Sequence, residues 1–291
     1  MTARSARWRA VVGAVTALAM TSTALAQTGQ AIGVASAVVK DVKYSNAQVP
    51  QPRPVTVRQR VQLADLIQTG KASQMQILLL DRSTFSIGAN ARLRIDRFVY
   101  DPARGRNVGG TVLRGAFRFM SGQPNRQTGS TIATPVATIG IRGTIIEGVV
   151  GEGAIDIAKR EGQIPKGIKA DKNTASLIVL RGPGAGKQGG DDVGAASVTS
   201  GGATVELTAP TQTAFVPFAG AAPIVFNLSP AGHLRLRDQV FPSLAKAGLN
   251  PLLGGLLLAI PVAAGIAAGG KGKGRNPETP PPDPTGRPPG Q

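Results

Sequence analysis

The sequence has no cysteine, one histidine and one tryptophan, and aromatic residues make up only 4% of its 291 residues. Without cysteine the chain cannot form disulfide bonds, thiolate metal sites or a cysteine nucleophile. The tryptophan, Trp8, lies in the N-terminal segment, so the rest of the chain has little aromatic surface on which a sugar could stack. Its fold must therefore depend on the burial of other apolar side chains.

Glycine and proline are plentiful, at 38 and 22 residues, which favours a turn-rich β structure with a modest core. The formal net charge is +17, so the protein should be attracted to polyanions. In a cytoplasmic protein this charge would suggest nucleic acid. The N-terminus argues against that compartment, and we expect no nucleic-acid partner.

Residues 1–26 have the three parts of a secretory signal: an arginine-rich start, an apolar run over 11–20 and an A-x-A site at 24–26. An uncleaved anchor helix is the alternative, but the apolar run is short for a membrane span. We therefore expect cleavage before Gln27 and localisation to the periplasm or cell envelope of a Gram-negative bacterium.

Residues 251–270 carry no charge, and Lys271, Lys273 and Arg275 follow directly. Such a stretch is a marginal membrane span, and basic residues behind it are typical of a cytoplasmic end. We interpret 246–270 as a hydrophobic helix that could anchor the protein, with inner-membrane contact through 252–268; a Gly/Ala-rich stalk is the alternative. The proline-rich tail, 271–291, is predicted to be disordered.

Between these ends, short alternating segments separated by turns predict an all-β fold, either a flattened β-solenoid or a sandwich. The clearest hairpin has strands at 75–80 and 85–87, and later strands are expected at 174–182, 202–210, 212–218 and 222–228. One short helix is expected within 229–251, and 182–197 is expected to be a loop. We assign 27–150 to one β domain; 151–245 either extends it or follows it.

No catalytic motif is complete. "RGPGAGKQ" at 181–188 lacks the first glycine and the hydroxyl residue of a phosphate-binding loop. His233 has no nucleophile elbow with which to form a triad. Paired carboxylates could in principle hydrolyse glycans; the candidates are Asp81, Asp96, Asp101, Glu147, Glu152 and Asp156. We expect a non-enzymatic protein with no metal and no cofactor.

Arginines are dense between residues 92 and 118 and alternate with apolar residues. On neighbouring strands they could form one anion-binding patch for lipid headgroups, wall polymers or an acidic partner; a solvated sheet face is the alternative. The proposed patch consists of Arg92, Arg94, Arg97, Arg114 and Arg118.

A series of motifs resembles the FecR domain of bacterial envelope proteins over residues 55–150. It runs from an "ADLIQTG" entry through a D-x-S hairpin, with Arg82 where glycine is usual, to an L-x-G-x-F-x-F strand and a closing "TPVATIGIRGT". The matching fold-signature residues are Asp65, Thr69, Gly70, Asp81, Ser83, Asn90, Gly115, Thr134, Pro135, Ala137, Thr138, Arg142, Gly143 and Thr144.

The resemblance implies an all-β periplasmic module that senses or binds an envelope partner, which is an envelope protein or an anionic envelope polymer. In the best-known members the domain follows a membrane helix and a cytoplasmic anti-sigma domain, and it relays iron-uptake signals. Only about ten residues precede the first apolar run here, so we do not expect anti-sigma activity in this chain. A signalling subunit that works with separate regulators is an alternative, as is a structural surface protein.

Within the closing motif we expect Gly140 and Gly143 to permit close backbone approach or a bulge. Arg142 is expected to bond backbone carbonyls or a carboxylate such as Asp81 or Asp96, and so to stabilise the domain.

Overall fold

The computed structural model describes residues 29–101, 105–122, 129–165, 167–183 and 194–242. The chain divides into two compact units, Met1–Ala247 and Gly248–Gln291, and every described residue lies in the first. The predicted signal segment 1–26, hydrophobic segment 246–270 and tail 271–291 lie outside the described residues. Within the described part, 17 strands and two short helices confirm the all-β prediction.

The elements follow one another with short connections. In chain order they are β1 (Ala31–Val39), β2 (Val42–Ser45), β3 (Arg53–Pro54), β4 (Arg60–Gln62), β5 (Leu66–Thr69), β6 (Gln74–Leu79), β7 (Thr84–Ile87), β8 (Arg92–Asp101), β9 (Gly105–Met120), β10 (Gly129–Ala133), β11 (Thr138–Arg142), β12 (Thr144–Val150), α1 (Glu152–Arg160), β13 (Ser176–Pro183), β14 (Ala195–Ser200), β15 (Ala203–Leu207), β16 (Gln212–Val216), β17 (Ile224–Asn227) and α2 (Pro230–Val240).

The strands form two sheets that share β9. The helix-side sheet has the order β4-β1-β6-β7-β9-β12-β13-β16-β17, and all its neighbours are antiparallel. The solvent-side sheet has the order β3-β2-β5-β8-β9-β10-β11-β14-β15, in which only β9 and β10 are parallel. The strands after residue 150 therefore pair with strands before it and continue both sheets.

Strand β9 passes from one sheet to the other at Gly115. Up to Arg114 it pairs with β8 in the solvent-side sheet, and from Gly115 onward it pairs with β12 in the helix-side sheet. The backbone of Gly115 has a φ of 84°, which favours glycine. A Cβ atom there would lie 2.5 Å from the Cα of Ala91. The glycine is therefore required both by the bend and by the contact.

The inner faces of the two sheets bury one apolar core between them. The alternation of apolar residues along each strand produces this face, as expected for a sandwich. Phe85, Phe117 and Phe119 are fully buried there, and the ring centroid of Phe85 lies 6.2 Å from that of Phe117 and 5.5 Å from that of Phe119. Tilted aromatic contacts at these distances add to the stabilisation from burial.

Both helices pack on the outer face of the helix-side sheet, over β9, β12 and β13. Helix α1 buries Ala154, Ile155, Ile157 and Ala158, whose spacing gives the helix one apolar face. Helix α2 begins after Ser229, whose Oγ accepts a hydrogen bond from the backbone of Gly232 over 3.0 Å. The helices thus form a third layer on one side of the sandwich.

The structure confirms the predicted hairpin, in which Met75 pairs with Ile87 and Leu78 with Thr84. It also confirms the later strands and places the expected helix at α2. Strand β14 and helix α1 are among the elements that were missed. Strand β14 begins inside the stretch predicted to be a loop, and α1 lies in a glycine-bounded segment that showed no clear helical period.

Candidate binding surface

Most fold-signature residues hold turns together instead of lining a cavity. Asp65 is buried and accepts hydrogen bonds from Asn46 Nδ2 (2.7 Å) and the backbone of Gln62 (2.8 Å). The pKa of Asp65 is raised above its usual value, because the effect of burial exceeds the opposing effect of these two hydrogen bonds. Thr69 donates from Oγ1 to the carbonyl of Gly88 over 2.6 Å. A Cβ on Gly70 would lie 2.9 Å from Asp41 Oδ2.

The D-x-S hairpin is held by its own side chains, and Ser83 Oγ also accepts a hydrogen bond from the backbone of Gly122 over 3.0 Å. Asp81 accepts hydrogen bonds from the backbone and Oγ of Ser83, at 3.0 and 2.6 Å. Arg82 between them has a φ of 65°, the left-handed conformation that explains why glycine is usual at this position. Asn90 has a similar φ of 53°, which asparagine tolerates better than most residues.

The closing motif connects the two sheets. Thr134 Oγ1 accepts from the backbone of Ala137 over 3.0 Å and from Ser176 Oγ over 3.0 Å, which fixes the turn around Pro135. Thr138 is exposed at the start of β11. Thr144 is fully buried and donates to the carbonyl of Gly182.

The two glycines of the motif serve close approach and a turn. A Cβ on Gly140 would lie 2.6 Å from Ser197 Oγ on the neighbouring strand, which is a side-chain contact and not the close backbone approach that the sequence predicted. Gly143 has a φ of 64° where the chain leaves the solvent-side sheet for the helix-side sheet.

Arg142 does pair with a carboxylate, but the two carboxylates named from the sequence are wrong. Its side chain is 71% exposed and its Nη2 lies 3.5 Å from Glu206 Oε2 on β15, so it pairs with neither Asp81 nor Asp96. An exposed ion pair of this kind contributes little to stability. Arg142 is the last residue of β11, and the alternation along that strand points its side chain into solvent.

Four of the five arginines of the predicted patch lie on the outer face of the solvent-side sheet. Arg92, Arg94 and Arg97 are exposed along β8, and exposed Arg114 on β9 pairs directly with Arg92. We call these four residues the basic strip. Two like charges opposite one another on a sheet destabilise it. The strip therefore carries an electrostatic cost that the fold itself does not require.

Few acids neutralise the basic strip. Asp96 Oδ2 lies 3.9 Å from Arg94 Nε and accepts a hydrogen bond from Thr111 Oγ1 over 2.6 Å. Among the described residues, Arg92, Arg97 and Arg114 make no ion pair. The strip therefore keeps most of its positive charge available to a partner.

The fifth arginine of the patch, Arg118, lies elsewhere, which corrects the sequence interpretation. Because β9 changes sheets at Gly115, Arg118 is on the outer face of the helix-side sheet, beneath α2. Its guanidinium carbon lies 5.7 Å from the ring centroid of Phe241. The sequence prediction assumed unbroken alternation along one strand and therefore placed Arg114 and Arg118 on the same face. The bend at Gly115 separates them.

Arg118 belongs to a partly buried ion cluster with Glu147, Arg181 and His233, in which only Glu147 is fully buried. Glu147 is only 3% exposed. Its carboxylate oxygens lie 3.5 Å from Arg118 Nε and 3.2 Å from Arg181 Nε. Arg181 also contacts Nδ1 of His233 on α2. The cluster connects the sheet to the helix layer.

His233 is held neutral in this cluster. Burial, and after it the positive charge of Arg181, lower its pKa to about 4, while Glu161 opposes part of this shift. Its Nε2 is buried and has no hydrogen-bond partner among the described residues. The geometry fits a structural role, since no nucleophile is hydrogen-bonded to the ring.

The other catalytic candidates do not converge. In the part of the chain that the structure describes, no group of three or more His, Asp or Glu side chains could hold a metal ion. Residues 184–188 of the phosphate-loop-like stretch lie outside the described residues. No described helix is long and apolar enough to cross a membrane.

Fold and surface together define a two-sheet β module with a helix layer on one side and a basic face on the other. Residues 65–165 match the family model described as FecR protein, so the resemblance drawn from the motifs is confirmed over this range. The match begins at buried Asp65 and ends just after α1. It therefore includes the basic strip and the closing motif.

The other comparisons add little. Two crystal structures of a candidate anti-sigma factor from Parabacteroides distasonis match with a TM-score of 0.37 and 12% identity, covering 56% of this chain and 59% of that one. A likeness this weak carries no argument. The match spans less than two thirds of that protein. A comparison with curated proteins gave no match.

Proposed function

We propose that this chain is a non-enzymatic FecR-domain protein that binds an anionic partner in the bacterial envelope through the basic strip. The observation that carries the proposal is the direct pairing of Arg92 with Arg114, together with the shortage of acids around them. Unpartnered like charges on an ordered sheet are stabilised when an anion binds.

The chemistry of the described residues supports binding over catalysis. The buried acids Asp65, Asp81 and Glu147 are engaged in hydrogen bonds or ion pairs that hold the fold. The single histidine, His233, is neutral and lies on α2, where it contacts Arg181. By contrast, Arg92, Arg97 and Arg114 are exposed and make no ion pair among the described residues.

An envelope location is part of the proposal. It is supported by the signal pattern of residues 1–26 and by the FecR match at residues 65–165. A role in signal relay through this surface would follow if the partner is itself a receptor or regulator.

Charge reversal tests the proposal. Arg92→Glu combined with Arg114→Glu should release the full-length protein from isolated envelope particles, because it replaces attraction with repulsion. Lys159→Glu combined with Arg160→Glu is the matched control, since both residues are exposed in the last turn of α1 on the other side of the sandwich. Sedimentation of the particles with bound protein measures retention.

Equal retention of both double variants and the unaltered protein would refute the basic strip as the contact surface. Raised salt should weaken retention of the unaltered protein, since exposed charge attraction is screened. Circular dichroism confirms that the variants remain folded.

A further inference from the structure

We propose that the basic strip docks the protein onto the surface of an anionic phospholipid bilayer, with Val99 and Leu113 reaching into the headgroup region. This inference rests on the proposed function and names the class of partner. It is carried by apolar side chains that accompany the arginines on the same two strands.

Leu113 is the extra residue of a β-bulge. Arg92 pairs with Arg114 while the next residue, Leu93, pairs with Val112, so Leu113 is left unpaired between them and is 36% exposed. A bulge bends the strand and redirects its side chains. Here it turns an aliphatic side chain outward beside two arginines.

Val99 extends the same surface at the other end of β8. It is 60% exposed and pairs with Asn107, two positions beyond Arg97. A second register shift, between Ile95 and Arg97, lies just before it. Apolar side chains thus stand at both ends of the row of arginines.

The charges of the strip lie on one face of the solvent-side sheet. Arg92 and Arg94 are two residues apart on one strand, a separation of about 7 Å along the chain. Arg114 lies about 5 Å from Arg92 across the sheet. Lys43, on β2, lies in the same cross-strand row through Gln68, and its Nζ is 3.4 Å from Asp41 Oδ1. Charges spaced in this way on one sheet face can contact several headgroups at once without a groove.

Basic residues around exposed aliphatic ones are typical of surfaces that lie on membranes. The arginines attract the anionic headgroups, and the aliphatic side chains bury apolar area at the boundary with the acyl chains. An acidic protein surface would use the arginines but would leave Val99 and Leu113 against polar groups. The observed combination therefore favours the bilayer.

The absence of cysteine from the chain permits a site-specific test. A Val99→Cys variant of the full-length protein carries one environment-sensitive fluorophore on the proposed face. A Leu234→Cys variant is the matched control, since Leu234 is 47% exposed but lies on α2 in the helix layer. A signal at residue 99 alone identifies this face, even if another segment of the chain also binds lipid.

With vesicles of phosphatidylglycerol and phosphatidylcholine, the label at residue 99 should shift to shorter wavelength and be quenched by headgroup-labelled lipid. The label at residue 234 should not respond. Vesicles of phosphatidylcholine alone should give no shift. Arg92→Glu with Arg114→Glu should raise the lipid concentration needed for half the response by at least about twentyfold.

No response at residue 99 on anionic vesicles would overturn the bilayer proposal, as would equal responses at residues 99 and 234. If that result accompanied arginine-dependent retention on envelope particles, the proposed function would stand with a protein or wall-polymer partner. If retention were also independent of the arginines, both proposals would fail.

Discussion

Gly115 shows how one residue determines the layout of this fold. Strand β9 supplies Arg114 to the solvent-side sheet and Phe117 to the core because the backbone turns at Gly115 with a φ of 84°. Any side chain at this position would meet Ala91, which lies directly beneath it. The glycine of the L-x-G-x-F-x-F motif therefore has a backbone function.

Gly115→Ala should lower the free energy of unfolding by about 2–4 kcal/mol, since it combines a left-handed backbone with steric overlap. Gly129→Ala is the control: that glycine has no positive φ and no atom near its would-be Cβ, so its effect should be at most about 0.5 kcal/mol. Urea denaturation followed by circular dichroism measures both. Equal stability of the two variants would contradict the account of the bend.

At the scale of elements, the partly buried ion cluster joins α2 to the helix-side sheet. Glu147 lies between two arginines on its neighbouring strands, and Arg181 continues the contact to His233 on α2. Removing one member of a buried ion pair leaves the others uncompensated. The cluster should therefore stabilise the sheet and the helix layer together.

Glu147→Gln should destabilise the fold by about 2–3 kcal/mol, less than for a fully buried pair, because both arginines retain some contact with water. Glu152→Gln should have little effect, since Glu152 and its partner Lys172 are exposed. The backbone amides of α2 should exchange hydrogen faster in the Glu147→Gln variant than in the unaltered protein, and should be unchanged in the Glu152→Gln variant. Unchanged exchange in α2 would mean that the cluster does not hold the helix.

The neutral His233 predicts a dependence of stability on pH. Its pKa falls from 6.5 to about 4 on folding, so the unfolded chain binds the proton more readily between these values. Stability from this group is fully present above pH 6.5 and is lost as the pH falls toward 4. His233→Gln should flatten this part of the profile. If stability fell with pH at the same slope in the unaltered protein and in the variant, His233 would not be the source of this pH dependence.

At the scale of the whole described unit, the sequence predicted more of the fold than of the surface. Alternating residues predicted the strands, and the motif series predicted the family match. The bend at Gly115 and the bulge at Leu113 were not predictable, because both interrupt the period on which strand prediction depends. Arg118 was therefore assigned to the wrong face, while Arg92, Arg94, Arg97 and Arg114 were found.

Helix α1 and strand β14 were missed for a different reason. Glycines surround both elements, and their few apolar residues gain a face only when the helix-side sheet and β11 are present to cover it. Tertiary packing, not local preference, stabilises these two elements. The pairing of Glu147 with Arg181 likewise depends on strands that are distant in sequence.

The most direct test of the central claim compares the two outer faces while the protein is bound to its native envelope. Single cysteines at Val99 and Leu234 are exposed to a membrane-impermeant maleimide, first on free protein and then on envelope particles. The account predicts that residue 99 becomes protected on binding while residue 234 keeps its reactivity. Protection of residue 234 alone, or no protection of residue 99, would contradict it.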